Sequence, residues 1–426
     1  MRTVTPSRRG CYVSTGGRTS ADMPVPGHLG LETAPSPRGT RRSRPLRDRP
    51  AIRILAVLLA AALAWLGWSL GHALTNPGGG TVAQRVAEWA RDHYLGPVVT
   101  FGEWVTYQSP KVGGTPSVSL AGPGQPASSG PSASRGTRQR PRPPSGAGFA
   151  PPAPLGSPAG RPLRGEGQWR VLYRVHHDAA VYATYLRPDK VHTSYVAAIV
   201  SMDPRLLRFR LRPGTEDPGP GSYGGAQPVI APGSRRGLAA TFNSGFKIAQ
   251  SGGGFYLNGT HRGVLRSGVA TVVYYRDGTL AIGVWGHHGL RMSPAVAGVR
   301  QNLRPIVEHG QVPASVDQNV QSSWGATLGG GYYVWRSGIG VTRDGRIIFA
   351  YGPALDVRTL AGLLRRAGCV TAMQLDINPE WTNFMYYRPG RQPGDPAPAA
   401  LLPGQMEPAG RYYSDSGRDF TAVYAR

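Results

Sequence analysis

Asp376 closes an apolar run, CVTAMQL, and opens a polar and aromatic one, INPEWTNFMYY, that holds a second carboxylate at Glu380. A carboxylate at the exit of a buried strand stands on a rigid support, where it can act as nucleophile, base or charge stabiliser. The same Asp can equally be a cap on the loop that follows. Pro379 prevents INPEWTN from continuing as a central strand. A second stretch, RRGLAATFNSGFKI, runs from apolar residues into Asn243-Ser244-Gly245. The Asn243 amide can donate to a substrate oxygen, and Gly245 permits a positive-φ turn or close ligand approach; an ordinary Asn/Gly turn reads the same way. A third stretch, GGGYYVWRSGIGVTRDG, sets Arg336 among Val334, Trp335 and Ile339. A charge in such a strand-like run must be paired or face a cleft. Its planar fork suits phosphate, to which it donates two parallel hydrogen bonds.

Other chemistries find little support. Gly329–Gly331 is not followed by the Lys-Ser/Thr of a phosphate-binding loop. His176-His177 and His287-His288 are adjacent pairs, whose side chains would diverge on a strand, and no HExxH spacing occurs. No GxSxG nucleophile elbow occurs either. The two cysteines, Cys11 and Cys369, exclude a disulfide framework and a Cys-based zinc site. Cys369, between Gly368 and Val370, reads as a small buried core residue. No metal and no cofactor are expected.

The elements that must hold these groups are partly legible. Asp356 can cap a helix over 357–367, with Leu360, Leu363, Leu364 and Ala367 as its inner stripe and Gly368 as its stop. That helix leads directly into a buried strand, Val370–Leu375, which puts Asp376 at its exit. Asp277-Gly278 and Asp344-Gly345 each lie between apolar runs, a strong hairpin signal. Short β-rich runs dominate residues 166–426, including WRVLYRVHH, AVYATYLRP and SYVAAIVSM. The expectation is an α+β domain with a largely antiparallel sheet and a few helices.

The remainder of the 426-residue chain carries no such core. Residues 1–50 are rich in Arg, Pro, Ser and Gly and are expected to be a disordered basic tail. The net charge of +25 is shared between tail and domain. No aromatic interleaving or fold pattern points to a nucleic-acid module, so no nucleic-acid partner is expected. Residues 54–71, ILAVLLAAALAWLGWSLG, are uncharged and about long enough to cross a bilayer within a helix over 51–74. Eleven arginines precede or adjoin it, which places the N-terminus in the cytoplasm and the C-terminal domain outside the cell membrane. A cleaved signal sequence is the competing reading, with a shorter apolar core and shorter leader. Residues 81–107 suggest an amphipathic juxtamembrane helix, lying on the surface or packed on the domain. Residues 108–165, Pro/Gly/Ser/Arg-rich with almost no large apolar side chains, read as a linker.

Taken in order, NSGF, then RSGIGVTRDG, then MQLD resembles the phosphodiester glycosidase family, which includes N-acetylglucosamine-1-phosphodiester α-N-acetylglucosaminidases and bacterial exopolysaccharide-biosynthesis relatives. The family pattern runs Asn-Gly-Gly-Phe-Phe, then Arg-Ser/Thr with a later Asp-Gly, then Leu-Asp-Gly-Gly-Gly-Ser. The resemblance spans about residues 230–390. The middle motif matches from Arg336 to Gly345, and Ser244 replaces a glycine in the first. After Leu375-Asp376 the third departs, with INPEWTN where glycines and a serine stand. The resemblance implies hydrolysis of a sugar-1-phosphodiester in envelope or exopolysaccharide metabolism. Asp376, Arg336 and Asn243 would be the catalytic set and Glu380 a second carboxylate. Ser244, Gly245, Asn378, Trp381 and Asn383 would bind substrate. Asp376 would face an oxocarbenium-like transition state and Arg336 the leaving phosphate. The alternative is a non-catalytic protein that binds a glycan or anionic cell-wall polymer on the same fold.

Overall fold

The computed structural model describes residues 50–75, 82–96, 98–99, 102, 108–120, 148–317, 324, 333–392 and 394–426. The expected tail and Gly329–Gly331 lie outside them. The chain divides into two units, residues 1–63 and 64–426.

Helix α1 (Pro50–Thr75) buries none of its residues. At 26 residues it is long and apolar enough to cross a membrane, as an anchor or as a signal sequence. Helix α2 (Val82–Asp92) is shorter than the amphipathic segment expected. It packs on the domain: Lys247 Nζ lies 3.4 Å from Asp92 and 3.7 Å from Glu88.

The domain is α+β and every described strand pair within its sheets is antiparallel. Its strands are β1 (Arg170–Val175), β2 (Asp178–Leu186), β3 (Ala197–Met202), β4 (Leu207–Arg212), β5 (Leu238–Asn243), β6 (Phe255–Leu257), β7 (Thr260–Arg262), β8 (Ala270–Tyr275), β9 (Leu280–Val284), β10 (Val296–Gln301), β11 (Pro305–Val307), β12 (Val334–Thr342), β13 (Ile347–Leu355), β14 (Cys369–Gln374), β15 (Phe384–Gln392), β16 (Asp395–Ala400) and β17 (Phe420–Ala425). They form sheets ordered β1-β2-β3-β13-β12-β14-β11, β7-β6-β10-β8-β9 and β16-β15-β5-β17-β4. One core is fed by all three sheets, with Phe242, Phe349, Met373, Leu375, Phe384 and Phe209 among its members. The short helix α3 (Ile248–Ser251) follows β5. Helix α4 (Val357–Arg366) covers the other face of the first sheet through Leu360, Leu363 and Leu364.

Local signals decide these elements where they are strong. Asp356 accepts from Thr359 N at 2.6 Å and caps α4, and Gly368 at φ 93° ends the turn after it. Gly278 (φ 88°) and Gly345 (φ 94°) make the two Asp-Gly hairpins. Two expectations change. The histidine pairs sit in turns, with His176 at φ 52° and His288 at φ 47°, not on strands. Parts of the compositional linker lie against the domain: Leu120 is buried, Leu155 N donates to Gly167 O, and Phe149 N donates to Asp203. Isolated apolar residues are enough there because the domain supplies the rest of the packing surface.

Candidate active site

β14 lies between β12 and β11, so its exit is held on both sides. Leu375 N donates to Ser337 O and Ser337 N to Asp376 O, carrying the β12 ladder one step past the strand. Asp376 is 3% exposed. Its Oδ1 accepts from Ile377 N (2.8 Å) and Asn378 N (2.9 Å), which is the capping role. Its Oδ2 lies 3.5 Å from Arg418 Nη2. The two readings of Asp376 therefore fall on different oxygens of one carboxylate. Burial pushes its pKa up to about 6 and Glu88 adds to the rise, against Arg418 and the two backbone N–H groups.

Asn243, the last residue of β5, is brought to the same place through Ser337. Its Nδ2 donates to Ser337 Oγ at 2.9 Å, and that oxygen accepts from Asp376 N at 3.2 Å. Its Oδ1 accepts from Asn383 N. Gly245 has no positive φ; what it permits is close approach, because a Cβ there would stand 3.3 Å from Arg300 Cζ. Its carbonyl accepts from Arg418 Nη2 at 3.0 Å. Ser244 is buried and bonds Thr421 Oγ1.

The guanidinium at Asp376 is that of Arg418, where Arg336 was expected. Arg336 shares a face of β12 with Gly338, which sits against Leu360 and Leu364 of α4. Its Nε donates to Leu355 O and its Nη1 to Gln374 Oε1. Burial pulls its pKa down to about 10, with Asp356 as the opposing charge. The period of two puts Ser337, not Arg336, on the face toward β5 and Asn243.

INPEWTN folds back on itself. Asn378 Oδ1 accepts from Glu380 N, and Asn378 O from Trp381 N and Thr382 N. Asn383 is fully buried between Trp381 O and the Tyr412 hydroxyl. Trp381, expected to bind substrate, is 6% exposed, with Arg411 and Arg418 guanidinium carbons 4.6 and 5.1 Å from its ring. Its Nε1 donates to Glu88 of α2 at 3.1 Å. Glu380 is pushed up to about 7 by burial and by Glu88 and Glu407, with Arg411 and Arg91 opposing.

A charge network continues from Asp376 that the sequence reading missed. Arg418 reaches Asp217 and Glu88, each at 4.0 Å. Arg300, fully buried, holds Asp419 at 2.8 Å and Asp217 at 3.6 Å. Burial pulls Arg300 down, but Asp419 and Asp217 outweigh it and raise its pKa. Asp217 also takes the N–H of Ile248 at the start of α3. The result is a chain of alternating charges around an amide-lined strand exit. Arg300 lies in VAGVRQN, a charge inside an apolar run, so the argument applied to Arg336 finds it too. Asp217, in a turn sequence, and Glu88, far off in the chain, carry no such signal.

No family model matches the chain, and no curated protein matches it. Solved structures with some likeness include the zebrafish N-acetylglucosamine-1-phosphodiester alpha-N-acetylglucosaminidase catalytic domain, auto-inhibited by its pro-peptide. It is 15% identical, over 61% of this chain and 88% of that one, with TM-score 0.37. A hypothetical protein from Synechocystis is 11% identical over 59% and 63%, with TM-score 0.31. An exported protein from Burkholderia pseudomallei is 11% identical over 54% and 74%, with TM-score 0.29. At this distance none of them assigns a role to a residue of this chain.

Proposed function

We propose that the chain is a membrane-anchored, extracytoplasmic phosphodiester glycosidase that hydrolyses a sugar-1-phosphodiester of envelope or exopolysaccharide chemistry. The observation that carries this reading is the Asp376 carboxylate, capped on one oxygen and turned to Arg418 on the other, where the Asn243 turn and the β14 exit meet. Cleavage breaks the bond from the anomeric carbon to the phosphodiester oxygen. The ionised Asp376 opposes the positive charge that develops on the sugar, as nucleophile or as electrostatic partner. Arg418, with Lys247 close to the same acidic residue Glu88, takes the leaving phosphate in the role first given to Arg336. An acidic phosphate leaves with little protonation, so Glu380 is not required as an acid. Substrate must displace Glu88, because α2 lies across this end of the domain. Outside topology rests on the arginines before α1.

One observation favours the alternative, a non-catalytic binder of glycans or anionic polymers: Asp376 and Trp381 are both nearly enclosed. The two readings separate on the full chain purified in detergent. Release of reducing sugar from a panel of sugar-1-phosphodiesters, lost in Asp376→Asn, supports the enzyme. No turnover by either protein, with both folded and both binding glycan, supports the binder.

A further inference from the structure

A cavity of about 540 Å³ opens beside β4 and shares no residue with the Asp376 network. β4 reads LRFRLR, and its alternation is strict: Leu207, Phe209 and Leu211 are buried, while Arg208, Arg210 and Arg212 turn to the cavity. Successive residues on one face of a strand are about 6.6 Å apart, so the three guanidinium stems form an evenly spaced row. Arg236 and Arg276 line the same cavity.

Four of these five arginines are held by oxygens that carry no charge. Arg208 donates to Ala425 O, Arg210 to Arg276 O, Arg212 Nη2 to the Tyr424 hydroxyl and Arg276 to Pro294 O. Arg212 Nε is buried with no hydrogen-bond partner among the described residues. No carboxylate forms an ion pair with any of the five among the described residues. The carboxylate that acts on Arg210, Asp277, is turned to Thr279, whose N–H and hydroxyl bond its Oδ1 at 2.8 and 2.7 Å. Burial, with Arg208, Arg212 and Arg426, lowers the Arg210 pKa from its ordinary value, as expected of crowded like charges. A row of closely spaced, mutually repelling guanidiniums, exposed at Arg208 and half-buried at Arg210 and Arg212, is relieved by a polyanion.

We propose that this cavity is a binding site for a linear phosphodiester polymer with a flexible, non-aromatic backbone, its successive phosphates following Arg208, Arg210 and Arg212. The tyrosines argue against single-stranded nucleic acid, which is held by bases stacked on exposed rings. Tyr274 is buried, and Tyr275 and Tyr424 are half-buried. The site stands whether or not Asp376 is catalytic.

The test is equilibrium binding of a poly(glycerol phosphate) chain to the full protein in detergent, over a range of salt. The triple variant Arg208→Gln/Arg210→Gln/Arg212→Gln should bind at least about tenfold more weakly, with a salt slope shallower by about 0.7 for each phosphate that is no longer neutralised. Unfolding curves check that it folds, and Arg208→Lys/Arg210→Lys/Arg212→Lys should keep the salt slope. Arg291→Gln, an exposed arginine outside the cavity, and Asp376→Asn should bind as the wild type does. Undiminished binding by the triple Gln variant would overturn the site, as would equal loss in Asp376→Asn. Oligothymidylate bound as tightly as the polyol phosphate would overturn the ligand class.

Discussion

Asp376 caps the loop after β14, the proposed function also makes it the carboxylate that faces the sugar, and its protonation bears on both. Its folded-state pKa of about 6 lies above the ordinary 3.8, so the folded protein holds this proton more tightly than the unfolded chain does. That contribution to stability is greatest below about pH 4 and is lost as pH rises through about 6. Asp376→Asn should therefore flatten the pH dependence of unfolding between about pH 4 and 6, by at most about 3 kcal/mol. Denaturant titrations at several pH values measure this; a pH slope unchanged in the variant would contradict the assignment. Catalysis needs the ionised form, so the rate should rise through about pH 6. Glu380→Gln should leave that limb in place, and a flat profile from about pH 5 to 8 would count against it. Asp376 and Asn243 were legible because each ends an apolar run with a polar group. Arg418 was not, because its pairing with Asp376 is made across distant parts of the chain. The error over Arg336 came from reading a charge in a strand without knowing which face it takes.

At the scale of elements, α4 was the clearest from sequence because its cap, stripe and stop are all local. Asp356→Ala removes the bond to Thr359 N and should cost about 1 kcal/mol by chemical denaturation, with no change in the substrate's KM. No measurable loss would show that the cap contributes nothing. α2 is the opposite case. Its helical period was legible, but its place beside Trp381, Arg418 and Lys247 depends on residues well over a hundred positions away. Because α2 covers the site through these residues, Glu88→Gln/Asp92→Asn should loosen α2 and raise hydrolysis about five- to tenfold. Amide exchange across residues 82–92 should quicken in parallel. Faster exchange without faster hydrolysis would mean that α2 does not limit access.

For the whole molecule, composition separated the apolar helix from the β-rich domain, and the Asp-Gly hairpins and apolar runs announced antiparallel sheets. Composition failed where a few apolar residues of a Pro- and Gly-rich segment meet a ready-made surface, as at Leu120 and Phe149. The order of strands in the three sheets could not be read, since pairs such as β5 with β15 and β17 join distant segments. Those pairings bring the Asn243 turn, the β14 exit and Arg418 to one place, and the proposed chemistry depends on that meeting. The most direct test is the rate of reducing-sugar release from a sugar-1-phosphodiester by the full chain and by Asp376→Asn, compared at pH 7. The account predicts turnover by the wild type and a loss of at least about a thousandfold in the variant. Equal rates in the two proteins would contradict it.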